Sequence, residues 1–358
     1  MIADILSRPQ FATSQAEKEM ILLPLLRELQ EHHRAHCEPF ARLLAGLGIG
    51  DASDITTMAD LPALPVRLFK EHDLKSIDAD DVFKVLTSSG TTGQAVSRIS
   101  LDRAATQIQS RALSRTMSEV LGTERLPMLI IDSGAVLADR QSFNARGAGV
   151  AGMMSFGRRH TYALDDDQRL DLDSVRSFLD EYGDKPFLIF GFTYMVWLHL
   201  YRPAVEAGLD LSNGVLVHSG GWKQLVDQAV SPTDFRRLLH EGIGLSLVHN
   251  FYGMVEQIGT VFLEGPDDPG SLYAPLFSDV IIRDPITWEP VEVGGTGIIE
   301  VVSLLPRSYP GHALLTEDIG QLIGVDDGPT WKGKRFRVIG RVPLAEVRGC
   351  SDTYEANS

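Results

Sequence analysis

Thr87-Ser88-Ser89-Gly90-Thr91-Thr92-Gly93 concentrates hydroxyl and small side chains at a density suited to wrapping the oxygens of a triphosphate. Glycine lets backbone N–H groups approach an anion closely, and Ser and Thr add donors without bulk. A strand-like run at 82–86 delivers the chain into this loop. It lacks the Gly-Lys-Ser/Thr ending of a P-loop, and no Gly-x-Gly-x-x-Gly fingerprint accompanies it. On these residues alone a phosphate cradle and a plain Gly/Ser/Thr turn are both open.

Three further segments follow in order: Asn250-Phe251-Tyr252-Gly253-Met254-Val255-Glu256, Thr316-Glu317-Asp318, and Gly340-Arg341. With the cradle they resemble the motifs of the adenylate-forming superfamily of acyl-CoA synthetases, nonribosomal adenylation domains and firefly luciferase. Within it the chain looks most like the acyl-protein synthetase (LuxE) family, because little chain follows Gly340-Arg341 and because of the terminal Arg348-Gly349-Cys350-Ser351. The resemblance implies an AMP-forming ligase that uses ATP and magnesium to convert a carboxylic acid into an acyl-adenylate. It further implies transfer of the acyl group to Cys350 or to a partner protein such as a reductase. A long fatty acid, an aromatic acid and a short specialised acid are all open as substrates.

The same resemblance distributes roles. Ser88, Ser89, Gly90, Thr91, Thr92 and Gly93 would hold the outer phosphates, and Arg98 stands near the place where relatives carry a lysine. Gly220 and Gly221, in His218-Ser219-Gly220-Gly221-Trp222, would let adenine and the acyl carbonyl approach the backbone. Tyr252 and Gly253 would pack on adenine, Glu256 would ligate magnesium, Asp318 would accept the ribose hydroxyls, and Arg341 would mark the hinge. Phe192 and Trp197 would line the acyl pocket.

The residues themselves allow plainer readings. Glu256 follows Tyr252 by a helical spacing that puts both on one turn, and a hard carboxylate suits a hard cation, but the helix dipole favours such a glutamate anyway. Asp318 reads equally as a strand-end turn aspartate, Gly220-Gly221 as a strand-to-helix turn, and Phe192 and Trp197 as core. His32, His33, His36 and Cys37 have metal-ligand spacing on an amphipathic helix without further ligands, so packing is the expectation there.

Relatives in the superfamily carry a mobile C-terminal domain of about one hundred residues with a catalytic lysine. Only seventeen residues follow Arg341 here, so the expected division is an adenylate-forming domain at 1–339 and a hinge with a short tail at 340–358. Lys223, Arg341 and Arg348 are the unranked candidates for the missing cation. Cys350 lies nine residues beyond Arg341, a reach of roughly 30 Å when extended, enough to carry a thioester between sites. An incidental exposed thiol is the competing reading, while Cys37 sits in an apolar helix and reads as packed and inert.

The elements that must position these groups alternate along the chain. Helical periodicity covers 16–48, with breaks expected at Pro24 and Pro39, and forms a packing cap. From 102 to 248, amphipathic helices near 102–120, 171–182, 193–207 and 233–241 alternate with apolar strands, which gives an α/β class with crossover units. Between about 270 and 339 β-rich runs dominate, and a β-rich subdomain is expected.

The composition is that of an ordinary globular protein, 44% hydrophobic and 23% charged over 358 residues. A net charge of −15 opposes binding to nucleic acid and to anionic membranes. Two cysteines fit a reducing compartment, and no signal segment or membrane-length apolar run is present, so a cytoplasmic location is expected. Two rival functions are a ligase that uses coenzyme A, for which Cys350 is dispensable, and a silent nucleotide-binding partner that shows no acid-dependent pyrophosphate exchange.

Overall fold

The computed structural model describes residues 1–88, 96–137, 145–222 and 227–342. Its strands in chain order are β1 (Leu64–Pro65), β2 (Lys84–Thr87), β3 (Arg98–Leu101), β4 (Leu126–Ile130), β5 (Gly157–Tyr162), β6 (Phe187–Phe192) and β7 (Gly214–Ser219). There follow β8 (Leu247–Gly253), β9 (Val261–Glu264), β10 (Leu272–Tyr273), β11 (Ser278–Arg283), β12 (Thr296–Ser303), β13 (Ala313–Val325) and β14 (Lys334–Arg341). Eleven of them form one continuous path in the order β11-β12-β13-β14-β10-β9-β8-β7-β6-β4-β5, with β1 paired to β13, while β2 and β3 form a separate hairpin.

The sheet has two characters. β5, β4, β6, β7 and β8 are mutually parallel and linked through helices, as the alternating pattern predicts. From β8 onward each neighbour along the path is antiparallel. The strands of the β-rich region therefore extend the same sheet.

Parallel strands buried on both faces read as unbroken apolar runs, and β6, Phe-Leu-Ile-Phe-Gly-Phe, shows why. Its Phe187 and Ile189 pack on one face with Val175 and Phe178 of helix Leu172–Tyr182 and with Leu239 of helix Pro232–Ile243. Its Leu188 and Phe190 pack on the other face with Met117 of helix Arg103–Leu121 and Val150 of helix Ala145–Met153. Alternate residues of one strand thus belong to different cores.

The N-terminal cap is helix Gln15–His36, whose Leu22 and Leu26 pack against Ile281, Val302 and Ala313 of the antiparallel half. Pro24 does not break it. Its ring lies on the exposed face, where water can satisfy the carbonyl that loses its N–H partner. After β6 the chain turns through α-helical Thr193–Met195, a π-helical turn at Val196–Tyr201, and α-helical Arg202–Glu206. No helix is long and apolar enough to cross a membrane among the described residues.

Candidate active site

β6, β7 and β8 end along one edge of the parallel half, at Phe192, Ser219 and Gly253. In such sheets the edge beyond the carboxyl ends of the strands is where ligands bind. The antiparallel half brings a second set of residues to the same place. In the β13–β14 ladder Asp318 stands opposite Arg341.

Tyr252 joins the two halves. Its phenol donates to Oδ2 of Asp318 at 2.7 Å, and Nε of Arg341 approaches Oδ1 at 3.3 Å. The Asp318 backbone N–H donates to Oγ1 of Thr316 at 3.1 Å, which orders the stretch of β13 that carries the carboxylate. Burial, and then the Asp318 carboxylate, hold the Tyr252 phenol well above its usual titration range, so it is a permanent donor. The Asp318 side chain is 17% exposed and that of Arg341 77% exposed, so the cation lies over the outer side of a half-sheltered carboxylate.

Two expectations about this group change. Asp318 does not terminate a strand, because β13 continues through a register shift to Val325. Tyr252 and Glu256 do not share a helical turn, because Tyr252 is still in β8 and Glu256 lies in the 3-10 turn Val255–Gln257. Sequence spacing alone cannot distinguish a strand followed by a short turn from one helix start.

Glu256 is 8% exposed, and its carboxylate has no hydrogen-bond or ion-pair partner among the described residues. The turn is held from below, since Nε2 of Gln257 donates to the carbonyls of Val301 and Gly311, each at 3.0 Å. The nearby Tyr309 phenol is pushed up by burial first and then by the Glu256 charge. A sheltered, uncompensated carboxylate is the donor type a hard cation requires.

Gly220 follows β7 with φ +80°, a conformation that favours glycine, and a Cβ there would sit 3.4 Å from Phe192 Cδ1. Its carbonyl accepts from Thr193 Oγ1 at 2.6 Å, which ties the β7 loop to the start of the helix after β6. Gly221 has open space where a side chain would project. Phe192 is half-buried beside both Gly220 and Gly149. Trp197, 7% exposed, belongs to the core, stacked on Tyr201 and set edge-on to Trp222.

Ser88 closes the base of the β2–β3 hairpin: its Oγ accepts from Ser97 N–H at 2.9 Å, and its own N–H donates to Ser97 O at 3.1 Å. Arg98 is exposed on β3. Ser89, Gly90, Thr91, Thr92, Gly93, Lys223, Arg348 and Cys350 lie outside the described residues. In the histidine-rich helix, His33 is engaged at both ring nitrogens, by Ser76 Oγ and Pro306 O, and Cys37 is buried.

Sequence reasoning passed over two groups. Asn250, on β8 opposite His218 of β7, holds a buried side-chain oxygen with no hydrogen-bond partner among the described residues. Asp132, just beyond β4, is 1% exposed and ion-paired to Arg146 Nε at 3.1 Å; burial raises its pKa, against the Ser133 N–H and Arg146, which lower it. A carboxylate directly after an apolar strand was the available signal for Asp132, but its partner comes from a separate helix.

Comparison with known proteins places this geometry. The family described as acyl-protein synthetase, LuxE, matches residues 1–357. The chain is 24% identical over 348 residues to the long-chain-fatty-acid–luciferin-component ligase of Vibrio harveyi, covering 94% of this chain and 88% of that one. It is also 24% identical over 355 residues to the Aliivibrio fischeri ligase of the same name, covering 97% and 90%. Among solved structures the fold is similar to 2-hydroxyisobutyryl-CoA ligase in its postadenylation state with 2-HIB-AMP, with TM-score 0.68, 16% identity, and coverage of 93% of this chain and 69% of that one. An open conformation of that ligase with 2-HIB-AMP and CoA gives TM-score 0.68 at 17% identity, with coverage of 93% and 77%. The family match runs through every element that builds the site, from the hairpin of Ser88 to the strand of Arg341, and the chain is therefore a member of the acyl-protein synthetase family, LuxE.

Proposed function

We propose that this adenylate-forming ligase activates a long-chain fatty acid with ATP and magnesium and passes the acyl group to Cys350, which presents it to a partner acyl reductase. The observation that carries the reading is the Tyr252–Asp318–Arg341 constellation, together with a sheltered Glu256 that has no partner among the described residues. In the first step an acid oxygen attacks the α-phosphorus and pyrophosphate leaves. In the second the Cys350 thiolate attacks the acyl carbonyl, a thioester forms, and AMP leaves.

Each residue has a stated part. Tyr252 fixes one lone pair of Asp318, which leaves the remaining acceptor capacity of that carboxylate for the two ribose hydroxyls. Asn250 offers its buried oxygen to the amino group of adenine. Gly220 and Gly221 let the nucleotide and acyl carbonyl lie against backbone, with Phe192 beside them and Trp197 behind as support. Ser88 anchors the base of the β2–β3 hairpin, and Ser89, Gly90, Thr91, Thr92 and Gly93 would hold the outer phosphates. Glu256 would hold magnesium, which supplies charge neutralisation at the triphosphate of a strongly acidic protein.

The long-chain acid is favoured because the two curated relatives are long-chain-fatty-acid ligases by name. Residues 1–339 are assigned to the adenylate-forming unit and 340–358 to the acyl-carrying tail. A free buried thiol at Cys37 fits the cytoplasm. The test is to incubate the protein with ATP, magnesium and labelled tetradecanoic acid and to map the modified peptide by mass spectrometry. Label on Cys350 supports the reading; label that appears only on added coenzyme A replaces it with the acyl-CoA ligase alternative.

A further inference from the structure

Helix Arg103–Leu121 forms one wall of a cavity of about 660 Å³. One end of this cavity abuts both halves of the site. Leu86 of β2 and Leu101 of β3 line it, and these strands are the arms of the hairpin that carries the phosphate-binding loop. Ile258 and Gly259, immediately after the turn of Glu256, line it as well. Along the helix wall from Thr106 to Leu121 the cavity runs for about 22 Å at 1.5 Å per residue, enough for an extended saturated chain of about fourteen carbons. Its volume lies inside the range of small-molecule sites, about 300–1,000 Å³.

The helix wall suits a hydrocarbon, and the cavity is also lined by Lys84 and Arg115 and, past the end of the helix, by Glu124 and Arg125. Thr106, Ser110 and Ser118 line the cavity, but their hydroxyls donate to the helix's own carbonyls, of Asp102 at 2.8 Å, Thr106 at 3.0 Å and Arg115 at 2.8 Å. Hydroxyls satisfied this way leave small walls with little demand for water. Opposite them stand Ala151, Gly152 and Phe156. A Cβ at Gly152 would meet no atom within 4 Å, so this helix position borders open space.

The site end is polar in one particular way. Gln109 lines the cavity, is 3% exposed, and its Nε2 has no hydrogen-bond partner among the described residues. Gly259, at φ +84°, lies so close that a Cβ would come within 2.8 Å of the Gln109 Cα, Cβ and carbonyl oxygen, so the backbone beyond Glu256 is packed directly on the helix at Gln109. An unpaired buried amide donor is costly unless a ligand supplies the acceptor.

We infer that this cavity is the acyl channel: the hydrocarbon tail of the acid lies along helix Arg103–Leu121, and its carboxylate end meets the Gln109 amide beside the Glu256 turn. The inference rests on the proposed ligase function and adds where the acid binds and why it is long. Gln109 is a positioning residue, holding the acid oxygen that attacks the α-phosphorus.

The test is Gly152→Phe, a helix substitution at a lining position where a Cβ meets no atom within 4 Å, with the fold of the variant checked by circular dichroism. Pyrophosphate exchange into ATP is measured for straight-chain acids from butyric to palmitic, and displacement of a fluorescent long-chain fatty acid is measured without ATP. The channel predicts that wild type prefers the long acids, that Gly152→Phe loses at least about tenfold with tetradecanoic and palmitic acids while retaining butyric acid, and that it binds the fluorescent probe correspondingly less. Gln109→Leu should raise KM for every acid regardless of length, with kcat changed less. An unaltered chain-length profile and unaltered probe binding in Gly152→Phe overturn the channel while leaving the ligase function intact. Exchange by the wild type with no acid at all overturns both.

Discussion

The Tyr252 phenol donates to Asp318 Oδ2 at 2.7 Å, so the end of β8, the last parallel strand, is bonded directly to β13 of the antiparallel half. β9, β10 and β14 stand between β8 and β13 in the sheet order, and this bond links the two strands directly. It joins the adenine side of the proposed nucleotide site to its ribose side in one contact.

Tyr252→Phe should therefore loosen the nucleotide site more than the chemistry. Loss of a hydrogen bond to a charged group costs about 1.5–3 kcal/mol. The expected outcome is an ATP KM raised at least several-fold in pyrophosphate exchange, with kcat changed less. Equal ATP dependence in the two proteins would separate this contact from nucleotide binding.

Asp318→Ala removes the proposed acceptor for the ribose and the partner of Arg341. Discrimination between ATP and 2′-deoxy-ATP should collapse, with weaker ATP binding throughout. A mutant that discriminates as strongly as wild type places the ribose elsewhere.

Glu256→Gln keeps shape and removes charge. Adenylation should fall by at least about tenfold, and the magnesium concentration for half-maximal rate should shift, since metal charge stabilisation contributes several kcal/mol to such transition states. A superimposable magnesium titration rules the residue out as a metal ligand.

Acid should unfold the protein through its buried histidines. Burial holds His218 and His312 down to about 3 and His249 to about 4, against an ordinary value of 6.5. The folded state therefore binds fewer protons than the unfolded chain below 6.5, and stability present above that pH is lost progressively as pH falls towards 4. Urea midpoints should drop between pH 6.5 and 4, and His312→Gln, though less stable at pH 7.5, should show a shallower drop. An equally steep acid limb in the variant would show that His312 does not contribute to it.

The parallel half was legible because burial on both faces leaves runs such as Phe187–Phe192 unbroken, and the intervening helices carry their own period. Pro24 misled because a proline's effect on a helix depends on which face meets water. Residue types at Tyr252, Glu256 and Asp318 were legible as chemistry, but their mutual placement was not. The Tyr252–Asp318 bond links positions sixty-six residues apart, and its existence depends on a sheet order that no local spacing encodes. The amides of Asn250 and Gln109, without partners among the described residues, were invisible for the opposite reason: a buried amide announces itself only when every neighbour is known to be unable to pair with it.

The most direct test of the account is acid-dependent exchange of labelled pyrophosphate into ATP by the purified protein with magnesium, across a panel of carboxylic acids. The account predicts exchange that requires both acid and magnesium, is greatest with long-chain fatty acids, and is abolished or severely reduced in Glu256→Gln. Absence of exchange with every acid, in a protein that still binds ATP, would contradict it and leave a nucleotide-binding partner without ligase chemistry.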